Sequence, residues 1–256
     1  MGSLDYGERL ATIVSETSLL VAGIEGADLS VPVPATPSWS LNQLLRHVGY
    51  AHRWVAQMVG ERFPEIDRSL SKAHSVEEYA GETAAELSPW LVEGAALIAD
   101  TMASVAPHDM IAVLRPGRPG PDFWSTRMAQ ETVMHRFDAF EALGLPFSVP
   151  DRIAEDALHE WMTTIVEIIF DLRPAASALL GSSRLHFEAT DSPQNWTVDL
   201  TGSAPVVVQE RQEAAVTARG PAFDLVLALY QRRGAEGLEV RGDSGLLGKF
   251  LDAMRF

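Results

Sequence analysis

The chain has 256 residues, 46% apolar and 21% charged, the balance of an ordinary globular protein long enough for one large domain or two smaller ones. Its net charge of −15, with no basic cluster denser than Arg232-Arg233, argues against a nucleic-acid backbone as partner. It has no cysteine, which excludes disulfides, cysteine zinc fingers and a protein thiol nucleophile, so any thiol chemistry must use a small-molecule thiol.

Asp5, Glu8 and Arg9 interrupt any hydrophobic run at the N-terminus, and Tyr6 stands where a myristoylation signal needs Ser or Thr. No apolar stretch approaches the roughly 18 residues of a membrane span. The expected location is the cytoplasm, with no membrane partner.

In chain order, residues 4–24 carry Leu10, Ile13, Val14, Leu20 and Val21 at helical spacing. Residues 30–38 hold three prolines and read as a connection. Ser40 with Gln43 forms a capping box that opens a second helix, lined on one side by Leu41, Leu44, Leu45, Val48, Val55 and Val59. Ser75 with Glu78 suggests another box, and helical pattern runs on to residue 105 with a break expected near Ser88-Pro89. The run from Arg115 to Pro121 reads as a surface loop. Residues 123–143 form the next helix, closed by Gly144 and Pro146. Four long helices joined in this way predict a bundle.

Composition shifts after Pro150. A helix over 152–172 leads to strands at 184–190, 196–201, 205–209 and 214–219, a helix over 222–232, a strand at 238–240 and a helix over 244–254. The pattern predicts two domains: a helical bundle over 1–149 and a smaller α+β domain over 150–256.

The residues with chemical promise lie in the helices. Glu131 and His135, four apart, share one helical face. At about 100° per residue, Trp124, Met128 and Ala142 fall in the same sector, with Asp138 at its edge. A carboxylate in such an apolar stripe is costly unless a cation accompanies it. That cation is a metal shared with an imidazole or, competing with it, Arg127 or Arg46. A third ligand could come from His47 or His52 on the second helix, and helical phase favours His52. Two histidines and a glutamate leave a zinc ion one open position, the mark of a catalytic rather than a structural site. His74, His108, His159 and His186 lack ligand spacing and read as surface residues. Trp54, Trp90, Trp124 and Trp161 read as core. No Gly-x-Ser-x-Gly elbow, Walker loop, Gly-x-Gly-x-x-Gly or His-Glu-x-x-His motif is present.

The segment from Trp39 to Gly49, followed by His52-Arg53-Trp54, resembles the second-helix signature of the mycothiol-dependent maleylpyruvate isomerase family, whose N-terminal part is a DinB-like metal-binding bundle. Glu131-x3-His135-Arg136-Phe137-Asp138 is similar to the family's second signature. Leu238-Glu239-Val240-Arg241-Gly242-Asp243 resembles its C-terminal strand and Gly-Asp turn. The resemblance implies a divalent ion, zinc, held by His47, Glu131 and His135, so it selects His47 where helical phase favoured His52. It also implies mycothiol as cofactor and an α + (α+β) fold. The expected activity is cis–trans isomerisation, or S-transfer, on a small electrophilic substrate. Substrate-binding arginines would be drawn from Arg219, Arg232, Arg233 and Arg241. The expected partners are a small-molecule substrate and a low-molecular-weight thiol, in a monomer or homodimer. A metal-binding protein without catalysis, and a non-haem iron enzyme using the same two histidines and carboxylate, remain open.

Overall fold

Side-chain caps set where the first helices start. Asp5 accepts from the Glu8 N–H while Glu8 accepts from that of Asp5, opening α1 (Tyr6–Gly23). Ser40 and Gln43 exchange the same two bonds at the start of α2 (Leu41–Gly60), and Thr83 and Glu86 at that of α3 (Ala84–Ala103). Each pair satisfies donors that the first helical turn leaves without partners. The computed structural model describes residues 4–66, 81–114 and 119–255. These divide into two units, Asp5–Ser148 and Val149–Phe256, the second also taking in Leu4, whose N–H donates to Asp156 Oδ1.

In the first unit α1 and α2 each pack against both α3 and α4 (Gly120–Ala142), giving the four-helix bundle. Leu20, Leu41, Leu44, Leu45, Val48 and Leu91 form part of its dry centre. Gly49 lets α2 approach α3, because a Cβ there would collide with the Trp90 ring.

Several expectations need correction here. The proline-rich connection contains a two-stranded antiparallel ribbon, β1 (Pro32–Val33) with β2 (Thr36–Ser40). So small a ribbon consists only of edges, where proline costs little. Helix α3 does not break at Ser88-Pro89 but runs through Pro89. The Ser88 hydroxyl, one residue earlier, bonds the carbonyl of Ala84. Gly120 and Pro121 belong not to a loop but to the first turn of α4, where a missing N–H costs nothing. Arg115 to Arg118, and the box proposed at Ser75 and Glu78, lie outside the described residues.

The second unit opens with α5 (Asp151–Glu160), which passes through a π-helical turn at Trp161–Ile165 into α6 (Val166–Leu172). A short α7 (Pro174–Ser177), not anticipated from the sequence, precedes the sheet. The strands are β3 (Arg184–Ala189), β4 (Asn195–Asp199), β5 (Val206–Val208), β6 (Val216–Gly220) and β7 (Glu239–Gly242), in spatial order β5-β4-β3-β6-β7. Only the central β3–β6 pair is parallel. Between β6 and β7 runs α8 (Ala222–Leu229), which packs on α5 and on the sheet.

The Gly-Asp turn then has a backbone reason. Gly242 has φ +92° and lies against the carbonyl of Ala215, a place no side chain can share. Asp243 caps α9 (Ser244–Ala253) by accepting from the Leu246 N–H. Phe250 of α9 joins Phe187 and Trp161 in the core. The whole is the α + (α+β) fold. No helix among the described residues is long and apolar enough to cross a membrane.

Candidate metal centre

Helix α2 supplies His47 and helix α4 supplies Glu131 and His135. Glu131 Oε1 receives both rings: His47 Nε2 lies 3.0 Å away and His135 Nε2 lies 3.1 Å away. One ligand atom from each of the three residues falls within 4.8 Å of the others. The two imidazoles meet edge to face, with centroids 5.0 Å apart, and Trp39 borders His47 on another side at 5.2 Å. The other Glu131 oxygen, Oε2, accepts from Arg127 at 2.8 Å. Arg127 thus forms the salt bridge that competes with a metal as the companion of the Glu131 carboxylate, and it does so alongside the two imidazoles. Arg46 instead turns to Tyr50 and Glu82.

The electrostatics follow from this crowding. Burial alone would raise the Glu131 carboxyl. The charge on His135, bonds from His135 and His47, and the Arg127 guanidinium outweigh it and hold the group well below the usual carboxylate range. Burial pushes the His135 imidazole down, but Glu131 and Asp138 overcome that and push it up to about 9. Asp138 is fully buried, with Oδ2 2.9 Å from His135 Nδ1.

His52, which helical phase favoured, is fully buried, as that phase implied. Its Nε2 lies 2.9 Å from Thr132 Oγ1, whose own hydrogen goes to the Met128 carbonyl. Burial drives its pKa down to about 4. At the centre of the helical face, His52 thus meets Thr132 rather than Glu131. His47, at the edge of that face with a third of its side chain exposed, does reach it.

Beside the three residues lies a cavity of about 250 Å³ lined by His47, Tyr50, Ala51, Trp54, Leu114, Trp124, Arg127, Met128 and Glu131. Trp54 and Trp124 therefore wall a cavity rather than only filling the core, and their rings meet edge to face at 5.5 Å. The signal for this wall was present in the sequence. Tyr50, Ala51 and Trp54 follow His47 at spacings of three, four and seven, and Trp124 and Met128 precede Glu131 at seven and three.

Residues 10–140 match the sequence pattern of the mycothiol maleylpyruvate isomerase N-terminal domain, and residues 152–249 match that of the MDMPI C-terminal domain. The chain belongs to the mycothiol maleylpyruvate isomerase family. A crystal structure of the mycothiol-dependent maleylpyruvate isomerase aligns with TM-score 0.65 at 15% identity, covering 94% of this chain and 95% of that one. A histidine-to-alanine mutant of that enzyme aligns with TM-score 0.63 at 16% identity and the same coverage. At such identity the likeness carries the fold. No curated protein matches the chain at a significant level.

The four arginines from which substrate-binding residues would be drawn take these places in the second unit. Arg219 pairs with Glu188 and Glu239, and Arg241 also pairs with Glu239. Arg232 lies over the Tyr230 ring, and Arg233 is 3.9 Å from Asp224. Of the remaining histidines, His186 is not a surface residue. It is 1% exposed and sits 3.1 Å from Thr197 Oγ1 across the β3–β4 pair. His159 is half-buried against the Trp196 ring, His108 is exposed, and His74 lies outside the described residues.

Proposed function

We propose that this member of the family is a mycothiol-dependent isomerase of small electrophilic substrates, with a zinc ion held by His47, Glu131 and His135. The observation that carries the reading is the convergence of two imidazole nitrogens on one carboxylate oxygen at the wall of a cavity, in a chain without cysteine. The donor set fits the ion: two histidines and a glutamate are a zinc set that leaves a position open for an exogenous ligand. Asp138 behind His135 is the kind of partner that fixes a ligand imidazole.

A bound ion supplies a lowered thiol pKa, and mycothiol supplies the sulfur that adds to and leaves an activated double bond. The chain's residues organise that chemistry. Asp138 orients the His135 ring so that Nε2 faces Glu131. Arg127 occupies Glu131 Oε2 and leaves Oε1 to face the two imidazoles. Trp54, Trp124 and Met128 present apolar surface beside the centre, which limits water there and strengthens electrostatic effects.

The test is a panel of cis-configured conjugated carbonyl compounds, maleylpyruvate among them, given to zinc-loaded protein with and without mycothiol. Conversion to the trans isomer only when both zinc and mycothiol are present supports the reading. A stable thioether product would assign S-transfer instead. No turnover by fully metallated protein would reject both.

A further inference from the structure

Resting on the isomerase reading, we infer that Arg127 is a positioning residue of the metal centre. By holding Glu131 Oε2 it limits the carboxylate to one metal bond, through Oε1, and so keeps a coordination position open for the thiol.

The carboxylate is divided oxygen by oxygen. Both imidazoles face Oε1, with His47 Nε2 at 3.0 Å and His135 Nε2 at 3.1 Å. Oε2 accepts instead from the Arg127 guanidinium at 2.8 Å. A carboxylate binds a metal through one oxygen or through both. With one, the two histidines and Glu131 supply three donors, and zinc keeps a place for an exogenous ligand. With both, the protein supplies four donors and that place is filled.

The energetics favour the single bond. A guanidinium–carboxylate hydrogen bond is charge-assisted and belongs to the stronger kind. Arg127 and Glu131 are four apart on α4, so the helix itself brings them together. Their side chains are only 11% and 21% exposed. Water therefore replaces little of what the guanidinium would lose if Oε2 turned to the ion. Location agrees with the role. His47, Glu131 and Arg127 line the same cavity of about 250 Å³, which gives an exogenous ligand room beside the centre.

Zinc- and cobalt-loaded full chains of the parent and Arg127→Met test this. The probe is 2-mercaptoethanol, so recognition of mycothiol's sugar plays no part. Methionine keeps an unbranched apolar stem but has no donor, and Arg127→Ala serves as a second removal. In crystals of the zinc forms, Oε2 should lie outside the roughly 2.0–2.2 Å of a zinc–carboxylate bond in the parent and within it in Arg127→Met. The sulfur-to-cobalt band should need about tenfold more thiol in that variant, while zinc affinity does not fall. Arg127→Lys keeps the charge and a donor, and should recover most of the thiol affinity. A merely structural arginine would weaken metal and thiol binding together. Loss of zinc from the folded removal variants, unchanged thiol affinity in them, or Oε2 already bonded to zinc in the parent would overturn the inference and leave the isomerase reading in place. If the metallated parent binds no thiol, the isomerase reading fails, and the shift of Oε2 between the two crystals still decides the role of Arg127. A parent that takes up zinc only after Arg127 is replaced would overturn both, because the arginine would then stand in for the ion.

Discussion

Asp138 Oδ2 lies 2.9 Å from Nδ1 of His135, while the ring's other nitrogen faces Glu131. A carboxylate in this position fixes the tautomer that leaves Nε2 as the metal donor and raises its basicity. Asp138→Asn retains the shape but loses the charge. Metal affinity should fall by about ten- to a hundredfold with the helical circular dichroism unchanged. Competition against a zinc chelator measures it, and equal affinity in variant and parent would reduce Asp138 to a packing role.

One divalent ion per chain should bind at the three converging residues. His135→Ala and His47→Ala should each lose most of the metal, and His52→Ala should retain it, since His52 is engaged with Thr132. Elemental analysis after purification without added metal reads the result and separates zinc from the iron that the same donor set could take. Full occupancy in His47→Ala alongside loss in His52→Ala would mean that the buried histidine is the ligand.

The second signature, Glu131-x3-His135-Arg136-Phe137-Asp138, was legible because each residue has a task within reach of the others. Glu131, His135 and Asp138 form the chain of bonds just described. Phe137 packs on Phe147, and Arg136 turns the other way to Glu16. Caps at Ser40 and the alternation in β3 were equally local and readable. What the sequence hid depends on distance in the chain. Helical phase ranked His52 above His47 because phase reports depth, whereas which imidazole meets Glu131 depends on what faces the residue from another helix. The pairing of β3 with β6 joins strands about thirty residues apart, and the register follows from packing rather than from local pattern. The continuation of α3 through Pro89 likewise escapes a local reading, since proline is a helix breaker by propensity and tertiary packing overrides that preference.

The Arg136–Glu16 pair is itself a test of the bundle. The two side chains, 3% and 2% exposed, meet at 2.6 Å. Arg136 also stacks over Phe147 at 4.1 Å and donates to the Ser148 carbonyl. Burial raises the Glu16 pKa, and Arg136 works against that rise. Removing one partner leaves a buried charge without its counterion. Glu16→Leu should therefore destabilise the protein by about 3–5 kcal/mol, and a double replacement with Arg136→Met by much less. Urea unfolding of the two singles and the double gives the coupling, and additive losses would show that the charges do not depend on each other.

His52 should make stability fall in mild acid. Its folded pKa, pushed down to about 4 by burial, lies below the ordinary value near 6.5. The unfolded chain therefore takes up a proton first. The stabilisation is whole above about pH 6.5 and is lost as pH falls through 4. Between pH 7 and pH 5 the metal-free protein should lose on the order of 2 kcal/mol through this residue. His52→Gln can still bond Thr132 and does not titrate, so its unfolding midpoint should drop less over the same interval. Parallel pH profiles for parent and variant would show that His52 does not titrate in this way.

The thiol-dependent reading stands on an open coordination position, and cobalt makes that position visible. With no cysteine in the chain, sulfur reaches the ion only from solution. Cobalt-substituted protein should develop an intense sulfur-to-metal charge-transfer band when mycothiol is added, because thiolate replaces water in the place that His47, Glu131 and His135 leave open. Glutathione should produce a weaker band at equal concentration if the surrounding pocket recognises the sugar part of mycothiol. His135→Ala reloaded with cobalt should not reproduce the parent spectrum, which ties the signal to this centre. A site closed by a fourth protein ligand would stay silent toward every thiol. A flat titration on fully loaded protein would therefore remove the thiol from the mechanism while leaving the three-residue metal site in place.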